Sequence, residues 1–97
     1  MLVARAGSKA VGHAAVRFDQ RPVSASLTAL VVEEAYRGRG AGTALLQAAQ
    51  DAARAAGCQR LRPTVGRDED VAIGFLTRRG YEVVGETELA LVMSRIL

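Results

Sequence analysis

Cysteine and histidine are nearly missing from this 97-residue chain, which has one of each. A lone Cys58 closes no internal disulfide, and with a single histidine beside it the sequence cannot build a zinc site, so Cys58 is read as a small strand residue. Aromatic residues make up 4% of the chain, which leaves few platforms for stacking nucleic-acid bases, and the arginines form no long basic run. No apolar run approaches the ~20 residues of a membrane span. The start, Met1-Leu2-Val3-Ala4-Arg5, lacks the charged opening and long apolar stretch of a signal peptide, and a cytoplasmic location is expected. No internal repeat, linker or low-complexity segment breaks the sequence. With 49% hydrophobic and 24% charged residues, residues 1–97 read as one domain, long enough for a single core and too short for two.

What is present is concentrated between Val32 and Gly57. An apolar strand pattern, Ser24 to Val32, runs into Glu33-Glu34, then Arg37-Gly38-Arg39-Gly40-Ala41-Gly42, and then an alanine-rich helical pattern from Gly42 to Ala56 closed by Gly57. Glycines at alternate positions remove the Cβ atoms that keep a ligand off the backbone, and they permit positive φ, so successive N–H groups can converge. The free N–H groups and dipole of the following helix point the same way. Arg37 and Arg39 add charge, and the net charge of +3 suits a polyanionic small ligand. The stretch is therefore read as a phosphate or pyrophosphate cradle. The dinucleotide spacing G-x-G-x-x-G fails, since its last position falls on Thr43 or Leu45, and the Gly-Lys-Ser/Thr ending of a nucleotide-triphosphate loop is absent.

Around this stretch the pattern gives strands at Leu2 to Ala6 and Ala10 to Phe18, joined by a hairpin at Gly7-Ser8, with a turn at Asp19 to Pro22. In the third strand, alternation puts Leu27, Ala29 and Val31 on one face and Thr28, Leu30 and Val32 on the other. On the first helix Gln47, Gln50, Asp51 and Arg54 form a polar stripe opposite Leu45, Ala48, Ala52 and Ala55. Cys58 to Val65 is a strand whose Pro63 belongs at an edge or a splayed position. A second helix is framed by Asp68-Glu69-Asp70 at its start and Arg78-Arg79-Gly80 at its end, with Gly74 inside marking a close approach. Tyr81 to Gly85 and Leu89 to Leu97 complete the order β-β-β-α-β-α-β-β.

The residues left after the two failed phosphate motifs, R-x-x-G-x-G at Arg37, Gly40 and Gly42, follow a strand and an acidic stretch. In that setting they resemble the motif of the GCN5-related N-acetyltransferases. Ala72, Phe75, Gly80 and Tyr81 resemble that family's second motif, N-x-x-A-x-x-F-Y-x-x-x-G-F. The resemblance covers nearly the whole chain as a short form lacking the family's usual N-terminal strand and two helices. It implies an α/β (α+β) acyl-CoA N-acyltransferase fold with a mixed, mostly antiparallel central sheet. It also implies acetyl-CoA as cosubstrate, no metal, and a small-molecule or peptide amine as acceptor. By the same resemblance, backbone groups of Leu30, Val31 and Val32 bind the pantetheine arm and polarise the thioester. Amides of Arg37, Gly38, Arg39, Gly40, Ala41, Gly42 and Thr43 hold the pyrophosphate.

Direct transfer to an amine needs a neutral nucleophile, and an amine of pKa ~10.4 is neutral in about one molecule in 2,500 at pH 7, a penalty of roughly 4 to 5 kcal/mol that a general base relieves. Several relatives carry a glutamate on the strand where this chain has Ser24-Ala25-Ser26. His13 is the residue whose ordinary pKa suits a base. The family's tyrosine acid falls at Leu76 and its asparagine at Glu69. Two alternatives follow: a CoA-binding sensor or interaction module without turnover, and a basic nucleic-acid-binding domain. A homodimer is expected from the short form and the apolar last strand.

Overall fold

The computed structural model describes residues 2–6, 9–18, 24–38 and 40–97. The expected turns at Gly7-Ser8 and Asp19 to Pro22, and Arg39, lie outside the described residues. Six strands and two helices follow in the expected order: β1 (Leu2–Ala6), β2 (Lys9–Phe18), β3 (Ser24–Val32), α1 (Ala41–Ala55), β4 (Arg60–Gly66), α2 (Asp70–Thr77), β5 (Glu82–Glu86) and β6 (Ala90–Ile96). A single turn of 3-10 helix, Glu34–Tyr36, precedes α1. The strands form one sheet in the order β1-β2-β3-β4-β6-β5. Only β3 and β4 run parallel, because the α1 crossover joins them, and every other pair is antiparallel.

The β3–β4 pair is short. It extends from Ser24↔Arg60 to Leu27↔Pro63 and stops there, so the rest of β3 and the end of β4 part company. Two local features enforce this. Pro63 has no N–H to give a ladder. On the other edge of β3, the register with β2 passes from Ala15↔Ala29 to Val16↔Leu27, leaving Thr28 as the extra residue of a β-bulge. The Thr28 hydroxyl donates to the Ala15 carbonyl at 3.2 Å. The bulge also corrects the expected facing of β3, because an extra residue reverses the alternation. Ala25 and Leu27 are buried before it, and Leu30 and Val32 pack against the same core after it, while Val31 is exposed. Leu27 and Val31 therefore do not share a face.

One core unites the layers: Ala14, Ala25 and Leu27 from the sheet, Leu45, Leu46, Ala49 and Ala53 from α1, and Leu61, Leu76, Tyr81 and Met93 beyond the split. The buried face of α1 includes Gln50. The expected stripes are thus rotated: Gln50 faces inward and Ala55 outward. Gln50 is tolerated because its Nε2 donates to the Tyr81 hydroxyl at 2.9 Å, which joins α1 to the entrance of β5. Cys58 is buried in the turn before β4. The last strand lies between β4 and β5, and that interior position accounts for its apolar composition.

Gly74 meets only the Nη1 of its own helix's Arg78, 3.3 Å from where a Cβ would stand. The close approach is instead at Gly12 on β2, where a Cβ would lie 2.7 Å from the Val31 carbonyl oxygen and 3.2 Å from Leu45 Cδ1.

The Gln50–Tyr81 pair gives a stability prediction. Gln50→Ala leaves a buried hydroxyl without its partner and is expected to cost about 1–3 kcal/mol, with a double-mutant cycle against Tyr81→Phe returning a coupling. Burial raises the Tyr81 phenol above its usual 10.0, opposed by the Gln50 hydrogen bond and by the charges of Arg95 and Arg54. The folded state therefore holds this proton more tightly than the unfolded chain. Its contribution is complete below about pH 10 and is lost as pH rises through the raised value. Urea midpoints at pH 8 and pH 11 should fall further in the parent than in Tyr81→Phe.

Candidate functional site

The turn from β3 into α1 is built around two left-handed glycines. Gly38 has φ +77° and Gly40 has φ +83°, and a Cβ on either would meet no atom within 4 Å among the described residues beyond its chain neighbours. Both therefore face open space, in a conformation that side chains other than glycine rarely take. Gly42 differs: it has no positive φ, and a Cβ there would make ordinary contact with Phe75 at 3.6 Å. Gly40 is the N-cap of α1, with no capping side chain and no acid in the first turn. The Ala44 N–H is the first to bond back, to Gly40 O at 2.9 Å. The N–H groups of Ala41, Gly42 and Thr43 are left without helical partners at the positive end of the dipole.

This turn opens on a groove of about 950 Å3. One wall is Leu30, Val31, Val32, Arg37, Gly38, Gly40, Gly42 and Thr43; the other is Asp68, Glu69, Asp70, Val71, Ala72, Phe75 and Arg79. Ala41 starts α1 half-buried and is not in the lining. Arg37 Nε donates to the Val32 carbonyl at 3.2 Å, so one backbone oxygen at the end of β3 is engaged by the chain itself. His13 pairs with Val31 across β2 and β3, but it lines neither this groove nor the cavity below.

In the sequence Arg79 is only charge at a helix end, and the structure gives it a larger part. Its guanidinium lies 3.7 Å from the Phe75 ring centroid. It donates to the Phe75 carbonyl at 3.0 Å and to the Thr43 hydroxyl at 2.8 Å. The last bond spans the groove and sets a cation beside the free amides of α1. Nothing local in the sequence signals a partner 36 residues away.

Deeper in, the parting of β3 and β4 leaves a cavity of about 210 Å3 lined by Leu27, Thr28, Leu30, Pro63, Thr64, Val65, Glu69, Ala72 and Leu76. Leu30, Glu69 and Ala72 line both spaces, so the groove continues into the split. No group of three or more possible metal ligands occurs among the described residues. The arrangement can hold an elongated molecule with an anionic end at α1 and a narrow arm between the strands.

The sequence profile of the acetyltransferase (GNAT) family matches residues 1–81. The chain belongs to this family. The GNAT fold recurs in Ard1 from Thermoplasma volcanium, at TM-score 0.89 and 24% identity over 98% of this chain and 68% of that one. The PaiA N-acetyltransferase from Thermoplasma acidophilum, solved in complex with coenzyme A, gives TM-score 0.91 at 22% identity over 98% of this chain and 58% of that one. Arabidopsis thaliana Naa50, in complex with the bisubstrate analogue CoA-Ac-MVNAL, gives 0.85 at 23% identity over 98% of this chain and 71% of that one. At these identities the likeness is one of fold. The chain spans from 58% to 71% of these three relatives. Acetyltransferases of the GNAT family use acetyl-CoA.

Proposed function

We propose that this GNAT chain binds acetyl-CoA in the groove and transfers the acetyl group to an amine by direct attack. The observation that carries this reading is the continuity of the site: an uncapped helix N-terminus behind two open glycines leads without interruption into the split between β3 and β4. The free amides of Ala41, Gly42 and Thr43 suit the pyrophosphate, with Gly38 and Gly40 admitting it to the backbone. Arg37 and Arg79 add charge-assisted contacts. The arm then follows Leu30 and Val31 toward the bulge at Thr28, where strand separation leaves backbone groups of β3 without a β4 partner. The acyl carbon is thereby held where an amine can approach from the inner cavity.

Arg79 gives a test of the coenzyme end. Releasing Thr43 in favour of a phosphate oxygen exchanges a neutral partner for an anionic one. Arg79→Ala should therefore weaken CoA binding about tenfold, or about 1.4 kcal/mol, and flatten its salt dependence; calorimetry at low and high salt measures both.

A second reading, a CoA-binding module without turnover, is favoured by Leu76. This residue occupies the position of the family's tyrosine, is 2% exposed, and offers no proton to a departing thiolate. A thiol of pKa ~8.5 leaves with modest difficulty, so the enzyme reading survives the loss of the acid. Steady-state thiol release from acetyl-CoA separates the two, with lysine, tyramine, spermidine and a peptide with a free N-terminus as acceptors. Acceptor-dependent release is expected. CoA binding with no release from any of them would establish the module instead.

A further inference from the structure

Resting on the acetyl-transfer reading, we infer that Glu69 is the general base that takes the proton from the acceptor amine. The inner cavity is lined almost wholly by groups that cannot titrate near neutrality: aliphatic side chains, Pro63 and the hydroxyls of Thr28 and Thr64. Glu69 is its one carboxylate and its one titratable side chain, and it also reaches the outer groove. It therefore stands where the arm of the coenzyme and an incoming amine must meet. His13 lines neither space.

The carboxylate is held in place. The Gly66 N–H, at the end of β4, donates to Glu69 Oε2 at 2.7 Å, which leaves Oε1 to accept a further proton. Glu69 is the N-cap of α2 and makes no side-chain capping bond, so its carboxylate is not committed to its own helix. Among the lining residues, the charged groups around it are Asp68 and Asp70 on either side, Arg79 farther along the same wall and Arg37 on the facing one. Two neighbouring acids draw a protonated amine toward the cavity.

The step balances as follows. The ammonium gives one proton to Glu69, which passes it to solvent. The neutral nitrogen then bonds to the acyl carbon as the carbon–sulfur bond breaks, and the second nitrogen proton goes to the departing thiolate. The products are the amide, the free thiol and one released proton.

Glu69→Gln separates basicity from anchoring, because the amide oxygen can still accept from Gly66 N–H. With whichever of the four amines turns over fastest in the parent, kcat at pH 7 should fall roughly a hundredfold, while the Kd for CoA, measured by calorimetry, stays within about twofold of the parent. The deficit should shrink to a few-fold near pH 10, where the amine loses its own proton. Glu69→Asp, which keeps a carboxylate, should recover part of the rate at pH 7. An unchanged kcat in Glu69→Gln, or a deficit of equal size at every pH, overturns the assignment and leaves acetyl transfer standing. A parent that releases thiol with none of the amines overturns both.

Discussion

Gly40→Val should cost at least a hundredfold in CoA affinity, about 2.7 kcal/mol, while Gly57→Val binds as the parent does. The two glycines form a matched pair. Each has φ +83°, and at each an added Cβ would meet nothing within 4 Å. The intrinsic strain of a side chain in the left-handed region, about 1–2 kcal/mol and more for a branched one, is therefore common to both. They differ in what occupies the open space. Gly57 ends α1, its N–H bonded to Arg54 O at 2.9 Å, and it lines no part of the groove. Gly40 stands before the free amides of Ala41, Gly42 and Thr43, so a valine there fills the volume a phosphate must enter. Melting temperatures of the two variants should drop together, and calorimetric Kd values should diverge. Equal Kd values would mean that the anion does not sit at this helix end.

Most of the architecture is legible in the sequence because its signals are local. The glycines of the cradle follow from backbone geometry, the ends of α2 from charge and Gly80, and an edge or splayed position in β4 from Pro63. The misread faces of β3 and α1 fall where a tertiary contact overrides a local pattern. Strict alternation along β3 fails at Thr28, since the bulge there is imposed by the partner strand, and the hydroxyl that caps it looks like any threonine. Gln50 looks like a surface residue until its partner Tyr81 is known, because burial of an amide depends on a donor or acceptor supplied from elsewhere. Glu69 reads as helix-start charge, and only the cavity shared by β3, β4 and α2 shows which of three neighbouring acids faces the split. Arg79 has the same character. The cradle, a feature of continuous chain, is thus readable, whereas the groups suited to proton and charge transfer are assembled from separate elements.

The same contrast governs the two glycines that look alike in sequence, and it gives the second large effect. Gly12→Ala should lower the melting temperature by roughly 5 to 20 °C, the equivalent of about 1–3 kcal/mol in a domain of this size, whereas Gly74→Ala should raise stability by up to about 1 kcal/mol. At Gly74 the obstacle is the end of one flexible arginine, and alanine is the better helix former. At Gly12 the obstacles are the Val31 carbonyl oxygen at 2.7 Å, Leu45 Cδ1 at 3.2 Å and Val32 Cα at 3.3 Å. Two of these are backbone and none can swing aside, so the new methyl must push β3 away from β2 or lift α1 from the sheet. Either displacement moves a wall of the groove, since Val31 and Val32 line it and α1 carries the cradle. CoA affinity should therefore fall in Gly12→Ala even at temperatures where the variant is fully folded, and remain at the parent's value in Gly74→Ala. Thermal unfolding and calorimetry on the same samples check both halves. A Gly12→Ala chain with unaltered melting temperature would show that α1 does not lie this close over β2, and would remove the packing that aims its N-terminus at the groove.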